Sequence, residues 1–184
     1  MALPDQSSFD DHALMGICLL LARRAAALGE VPVGALVVQG NRILGRGFNR
    51  RELDADPCGH AEVRALREAA ATLGRWRLEE ATLYVTLEPC PMCAGALVNA
   101  RIARLVYGAP DPKAGAINSL YRLADDARLN HRVTSVHGVR AEECAAVLQA
   151  FFRARRVGGK RRWRAGQLGV PGAVWRGGRV AEGA

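Results

Sequence analysis

Two stretches of the sequence place metal-binding side chains at the start of predicted helices. His60 and Glu62 stand in CGHAEVRAL, and Cys90 and Cys93 stand in EPCPMCAGAL. Each stretch follows a predicted strand or loop and continues into an alanine- and leucine-rich helix. Helix N-termini that follow the strands of an α/β sheet can meet above the strand ends. The pattern therefore predicts a sheet with crossover helices in which both stretches border one site.

The hydrophobic pattern along the chain predicts alternating strands and helices. A helical spacing of apolar residues runs from Phe9 to Leu28, and two β-rich runs separated by Gln-Gly-Asn then predict a hairpin. Residues 110–132 are polar without a clear period, which predicts a functional loop with a helical turn near 119–124. The predicted helices are 9–28, 60–74, 91–100 and 141–156, and the predicted strands are 33–38, 42–48, 81–87, 103–109 and 133–138.

The charge of the chain is unevenly distributed. At 184 residues the chain is long enough for one domain with a sizeable core, and its net charge is +8. Residues 1–152 hold 17 basic and 17 acidic side chains, whereas residues 153–184 hold nine basic and one acidic. We therefore predict one domain, residues 1–156, and a basic Gly/Arg-rich tail, residues 157–184, without regular structure. Such a tail favours contact with nucleic acid, although a merely solvated tail has the same composition.

Cysteine usage and hydropathy bear on the compartment. Five cysteines, an odd number, are a poor disulfide framework and favour a reducing, cytoplasmic setting. The apolar run ALMGICLLLA is about half the length that a membrane span needs, and two aspartates precede it where a signal peptide has positive charge. The sequence therefore predicts neither export nor membrane insertion.

The cysteine pair suits a metal ion. Cys90 and Cys93 are three residues apart at a predicted helix start, so both sulfur atoms lie on one face, and the helix dipole favours the thiolate form. A lone C-x-x-C also fits a redox pair or half of a structural zinc site. Adding His60 gives three protein ligands and leaves a fourth tetrahedral position for water, which is typical of catalytic zinc.

Glu62 is suited to a different role from His60. Two residues along a regular helix correspond to a rotation of about 200°, so the two side chains would not face the same ion, and Glu62 would flank the site and move protons. Taken alone, His60 also fits a helix cap or core histidine, and Glu62 a solvated helix residue. Together with P-C-x-x-C they form the H-x-E…P-C-x-x-C signature of zinc-dependent base deaminases.

Several stretches of the chain carry a resemblance to a known family: EVPVGA, GFNR, HAE, LYVTLEPCPMCAGAL, KAGA, NHRV and EECAAVLQAFFRARR. Through them the sequence resembles the bacterial tRNA-specific adenosine deaminases of the TadA family over nearly all of residues 10–156. That resemblance implies a three-layer α/β/α cytidine deaminase-like fold with a central mixed five-stranded sheet, and a homodimer. It also implies hydrolytic conversion of adenosine to inosine at the wobble position of an arginine tRNA with an ACG anticodon. The chain departs from the family at Cys58 and Gly59 and in the tail from Gly158 onward.

The resemblance also implies roles for individual residues. His60, Cys90 and Cys93 would bind one zinc ion per subunit, and Glu62 would take a proton from the attacking water and deliver it to the base. Asn49 would hydrogen-bond the flipped nucleotide. The apolar residues that would pack on the base are Val31 and Leu87, and the candidates for RNA contact are Asp111, Lys113, Ser119, His131, Arg132 and Arg153.

Three other functions use parts of the same pattern. Free cytosine, cytidine and guanine deaminases carry the same zinc site but need no polyanion surface. A non-catalytic zinc- and RNA-binding module would be expected to lack Glu62, which is present. A thioredoxin-like redox role for the two cysteines would leave His60 and Glu62 without a function.

Overall fold

The computed structural model describes residues 10–157, and within them every predicted helix and strand is present. The last helix reaches Val157, so the rest of the predicted tail lies outside the described residues. The helices are α1 (Asp11–Ala27), α2 (Ala61–Leu73), α3 (Pro91–Asn99) and α4 (Ala141–Val157), and the strands are β1 (Gly34–Gln39), β2 (Arg42–Phe48), β3 (Thr82–Leu87), β4 (Arg104–Ala109) and β5 (Thr134–His137).

The five strands form one mixed sheet in the order β2-β1-β3-β4-β5. Strand β1 is antiparallel to both of its neighbours, β2 and β3, whereas β3, β4 and β5 are parallel to one another. Parallel neighbours require crossover connections, which α3 supplies between β3 and β4. The mixed five-stranded sheet expected from the resemblance is confirmed.

The two faces of the sheet are covered by different helices. Leu36 and Val38 of β1 belong to a buried cluster with residues of α1 and α4, whereas Ala35 and Val37 belong to a second cluster with residues of α2 and α3. This alternation follows from the two-residue period of a strand. The fold is therefore the expected three-layer α/β/α arrangement.

Glycines in β2 let α2 lie close to the sheet. A Cβ atom added at Gly45 would lie 2.6 Å from the backbone nitrogen of Ala69, and one added at Gly47 would lie 2.7 Å from that of Ala65. Separations this short leave no room for a side chain. The close contact fixes the height of α2 above the sheet, and so the height of His60 at its N-terminus.

The long segment between β4 and β5 differs from the prediction. The helical turn expected near 119–124 is absent, and turns occur instead at 112–114 and 116–119. The backbone N–H groups of Leu120 and Leu123 donate to the carbonyl oxygens of Gly115 and Ala116, which lie five and seven residues earlier instead of the four residues of an α-helix. Within the described residues, no helix has the length and apolar character to cross a membrane.

Candidate active site

The candidate site lies at the end of the sheet where the C-termini of β3 and β4 lie. Leu87 of β3 pairs with Ala109 of β4 at that end, and the start of β1 pairs there with the end of β2, Gly34 opposite Phe48. The loops that follow these strand ends enclose a cavity of about 220 Å³. Its walls are formed by Val31, Val33, Asn49, Arg51, His60, Ala61, Glu62, Leu87, Glu88, Cys90, Asp111 and Ala114.

Three side chains that could hold a metal ion meet at this cavity. His60 is the N-cap of α2, Cys90 is the N-cap of α3, and Cys93 lies in the first turn of α3. The Nδ1 atom of His60 lies 3.6 Å from Sγ of Cys90 and 3.4 Å from Sγ of Cys93. Tetrahedral zinc, about 2.3 Å from sulfur and about 2.0 Å from nitrogen, separates two such ligand atoms by about 3.5 Å. The side chains therefore fit a zinc ion in both donor type and spacing, as the sequence predicted.

The environment of Cys90 favours the thiolate, the form that binds a metal. A hydrogen bond from Cys93 lowers the pKa of Cys90, and with the bond to His60 it outweighs the effect of burial and brings the pKa to about 4. The same bond raises the pKa of Cys93, and burial raises it as well. Cys90 is consequently a thiolate at neutral pH, which is the form that binds a metal.

Glu62 faces the same cavity as His60. Its side chain is only 4% exposed, and burial raises the pKa of its carboxyl group above the ordinary value. His60 has extended backbone angles, φ −73° and ψ 151°, so the 200° rotation of a regular helix does not separate the two side chains. Glu62 interacts with the thiol of Cys93 and is not part of the His/Cys/Cys cluster. A buried carboxyl group with a raised pKa, next to a metal-type site, is suited to accepting and returning a proton.

Asn49 is held by a buried acid that the sequence analysis did not identify. Its Nδ2 atom donates to Oε2 of Glu30 over 2.9 Å, and Oε1 of Glu30 accepts from the backbone N–H of Leu53 over 2.8 Å. Because the carboxylate only accepts, it fixes the amide nitrogen of Asn49 toward Glu30. The carbonyl oxygen of the amide then remains to accept a hydrogen bond in the cavity. An acid a few residues before the buried strand β1, which begins at Gly34, was the signal in the sequence.

Glu88 is a second buried acid that the sequence analysis did not identify. It stands between β3 and Cys90, is 2% exposed, and accepts hydrogen bonds from the loop that begins at Asp111. Burial raises its pKa, but hydrogen bonds from Asn118, Ser119 and Asp111 outweigh that effect and bring the pKa to about 2. Glu88 is therefore a permanent anion in the wall of the site.

Several of the predicted substrate-contacting residues are brought to the cavity. Val31, Asn49, Leu87 and Asp111 all line it. Lys113 is exposed two residues after Asp111. Arg51 also lines the cavity, although it was not among the predicted residues.

The other predicted RNA-contacting residues lie elsewhere. Ser119 is exposed, and its hydroxyl group donates to Glu88. The Nε2 atom of His131 lies 2.7 Å from the carbonyl oxygen of Ile102, which precedes β4. His131 and its exposed neighbour Arg132 therefore lie at the N-terminal end of β4, opposite to the end that borders the site. A strand of six residues puts them about 20 Å from the site. Arg153 is exposed on α4.

Known proteins resemble this chain over most of its length. The family model of the MafB19-like deaminases matches residues 9–156. A tRNA-specific adenosine deaminase of Haemophilus influenzae is 49% identical over 152 residues, which are 82% of this chain and 87% of that protein. A structure solved in a study of A-to-I editing by tRNA:A34 deaminases at the wobble position of transfer RNA matches with a TM-score of 0.72 at 43% identity, over 74% of this chain and 99% of the other.

A more distant likeness concerns a different substrate. A guanine deaminase from Nitrosomonas europaea matches with a TM-score of 0.66 at 26% identity, over 82% of this chain and 85% of the other. The fold therefore occurs in enzymes that act on a free base as well as in enzymes that act on tRNA.

Proposed function

This chain belongs to the MafB19-like deaminases and, among them, to the tRNA-specific adenosine deaminases, and we propose that it converts adenosine to inosine at the wobble position of an arginine tRNA with an ACG anticodon. The resemblance identified from the sequence motifs is confirmed by these matches. The observation that carries the proposal is that Glu62, His60, Cys90 and Asn49 line one cavity. The chain that forms this cavity is 49% identical to a tRNA-specific adenosine deaminase.

The reaction consumes one water and releases one ammonia. His60, Cys90 and Cys93 would hold a zinc ion, whose Lewis acidity lowers the pKa of water and so supplies a nucleophile at neutral pH. The water oxygen forms a bond to C6 of adenine, and the bond from C6 to the exocyclic amino group breaks. Glu62 takes one proton from the water and delivers it to N1 of the base, and it carries the second proton of the water to the amino group, so that ammonia leaves and inosine remains.

Other cavity residues bind and orient the target nucleotide. Val31 and Leu87 offer half-buried apolar surface on which a purine ring can pack. Asn49, held by Glu30, presents its carbonyl oxygen to a donor on the nucleotide. The target base must leave the anticodon stack to enter a cavity of about 220 Å³, as in other base-flipping enzymes.

Basic side chains supply the contacts to the RNA backbone. Arg51 at the cavity and Lys113 beside it are placed to bind phosphates near the target nucleotide. His131 and Arg132 lie about 20 Å away, a distance that a tRNA stem can span, and Arg153 extends the basic surface on α4. The basic tail of residues 157–184 would add a further contact that depends on salt.

A homodimer and a cytoplasmic location complete the proposal. An apolar groove of about 320 Å³ lies between α2 and α3, and Trp76 beside it is 58% exposed. Exposed apolar surface of this kind is typical of a protein contact, and a second copy of the chain would cover it. All five cysteines are free, which suits a reducing compartment.

The test is to incubate the zinc-loaded protein with an arginine tRNA transcript that has an ACG anticodon and to measure inosine by nucleoside mass spectrometry. The control variants are Glu62→Ala and Glu68→Ala, because Glu68 is an exposed acid on the same helix. We expect inosine at the wobble position with the wild type and Glu68→Ala, and none with Glu62→Ala. If zinc-loaded wild type leaves the tRNA unchanged but deaminates free guanine, the protein is a free-base deaminase.

A further inference from the structure

A single buried carboxylate collects five hydrogen bonds from one loop. Oε1 of Glu88 accepts from the backbone N–H groups of Ile117, Asn118 and Ser119 over 3.1, 2.8 and 2.9 Å. Oε2 accepts from the backbone N–H of Asp111 over 3.0 Å and from the hydroxyl group of Ser119. The two ends of the segment 111–119 therefore meet at the same side chain.

The loop is shaped around this carboxylate. A Cβ atom added at Gly115 would overlap the carboxyl group of Glu88 and would lie 2.6 Å from the carbonyl oxygen of Asp111. The backbone N–H of Ala116 donates to the carbonyl oxygen of Pro89 over 2.8 Å, which adds a contact beside Glu88. With no regular secondary structure in the segment, these bonds replace the backbone ladder that would hold a helix or strand.

The same carboxylate joins two parts of the site. Glu88 precedes Cys90 by two residues, so its backbone is continuous with the start of the helix that carries both cysteines. Asp111 and Ala114 of the loop line the cavity. Glu88 thus connects the start of α3, which carries Cys90 and Cys93, to the wall of the cavity against which a nucleotide would lie.

We propose that Glu88 is a residue that positions the substrate. The carboxylate of Glu88 holds segment 111–119 in place as a wall of the cavity, while Glu62 carries out proton transfer. This inference rests on the proposed function, because the wall is placed to contact the target nucleotide of a tRNA. Loss of the hydrogen bonds to Glu88 would let segment 111–119 move, so the nucleotide would bind less tightly. Glu62 on α2 and the two cysteines at the start of α3 would keep their geometry.

The variant Glu88→Gln separates this role from a contribution to folding alone. A glutamine can keep one oxygen for the N–H groups of Ile117 to Ser119, but its NH2 group then faces the N–H of Asp111, and two donors cannot bond. We expect the KM for the tRNA transcript to rise about tenfold or more, with kcat changed by less than about threefold, because one buried donor loses its partner. Zinc content should stay equal to that of the wild type, and Glu68→Gln serves as the matched exposed control.

Ser119→Ala and hydrogen–deuterium exchange complete the test. Ser119→Ala removes one of the five bonds and should raise KM less than Glu88→Gln does. In the zinc-loaded protein without tRNA, the amides of 111–119 should exchange faster in Glu88→Gln than in the wild type. If Glu88→Gln fails to fold, Ser119→Ala alone must show the rise in KM and the faster exchange.

The outcomes distinguish the positioning role of Glu88 from the proposed function. An unchanged KM with a lower melting temperature would show that Glu88 only stabilises the fold, and a fall in kcat at constant KM would assign it to the chemical step. Either result overturns the inference. If the wild type makes no inosine, the proposed function fails and substrate positioning fails with it, while exchange at 111–119 still reports whether Glu88 holds the loop.

Discussion

Replacing Glu62 by glutamine should abolish most of the turnover and leave the site intact. The two side chains have nearly the same shape, so the amide fits the buried position that Glu62 occupies with 4% exposure. The amide cannot accept and return a proton, and general acid–base catalysis contributes about 10²–10⁴ to a rate. We therefore expect kcat to fall by that factor, which corresponds to about 3–5 kcal/mol of activation free energy.

The same substitution should not weaken the fold or the metal site. Burial raises the pKa of Glu62, which means that the folded protein disfavours its charged form, and a neutral amide removes that cost. Single-turnover conversion of a tRNA transcript, zinc analysis and thermal melting measure the three properties. A Glu62→Gln protein with full zinc and a rate within threefold of wild type would refute the proton-transfer role, and Glu68→Gln is the matched control.

Four further predictions address the ligands, the packing, the buried tyrosine and the tail. Cys93→Ser should lower zinc below one ion per chain in metal analysis, because the cluster loses one of its two thiols. Gly47→Ala should lower the free energy of unfolding by about 1–3 kcal/mol through overpacking against α2. Gly95→Ala, with open space at its Cβ position, should raise the free energy of unfolding by up to about 1 kcal/mol. Denaturant titration measures both changes, and equal effects would contradict the packing argument. Burial and a hydrogen bond to an aspartate raise the pKa of Tyr84 to about 12 from about 10, so its contribution to stability is complete below pH 10 and is lost as the pH rises through 12; wild-type stability should fall more steeply over that window than that of Tyr84→Phe. Truncation after Arg156 should weaken tRNA binding mainly at low salt, and equal affinity for both lengths there would remove the tail from the binding surface.

The sequence predicted the parts of the site that depend on local pattern. Cys90 and Cys93 are close in sequence, and His60 begins a helix whose alanine and leucine content is unambiguous. The predicted meeting of the two helix starts follows from the α/β topology, and the structure confirms it. Local pattern, together with the rule that helices follow strands at one sheet edge, was sufficient for the His/Cys/Cys cluster.

The sequence did not predict the contacts made between distant loops. Glu30 reaches Leu53 across 23 residues, and Glu88 reaches Ser119 across 31 residues. No local pattern marks which backbone N–H groups a buried acid will accept from. The same reason explains the wrong helical turn near 119–124, because the segment before it folds around the distant Glu88, and Leu120 and Leu123 then donate to Gly115 and Ala116 without helical spacing.

The two helix starts of the site show how its chemistry and its stability are connected. His60 and Cys90 occupy N-cap positions, yet neither side chain caps its helix with a hydrogen bond. A serine or aspartate at an N-cap stabilises a helix by about 1 kcal/mol, so the chain forgoes that stabilisation twice. Both side chains turn instead toward each other and toward Cys93, where a bound ion would connect α2 to α3. Metal binding would thus stabilise the same two helix N-termini that position Glu62 and the cysteines, and loss of metal would loosen the site before it loosened the sheet.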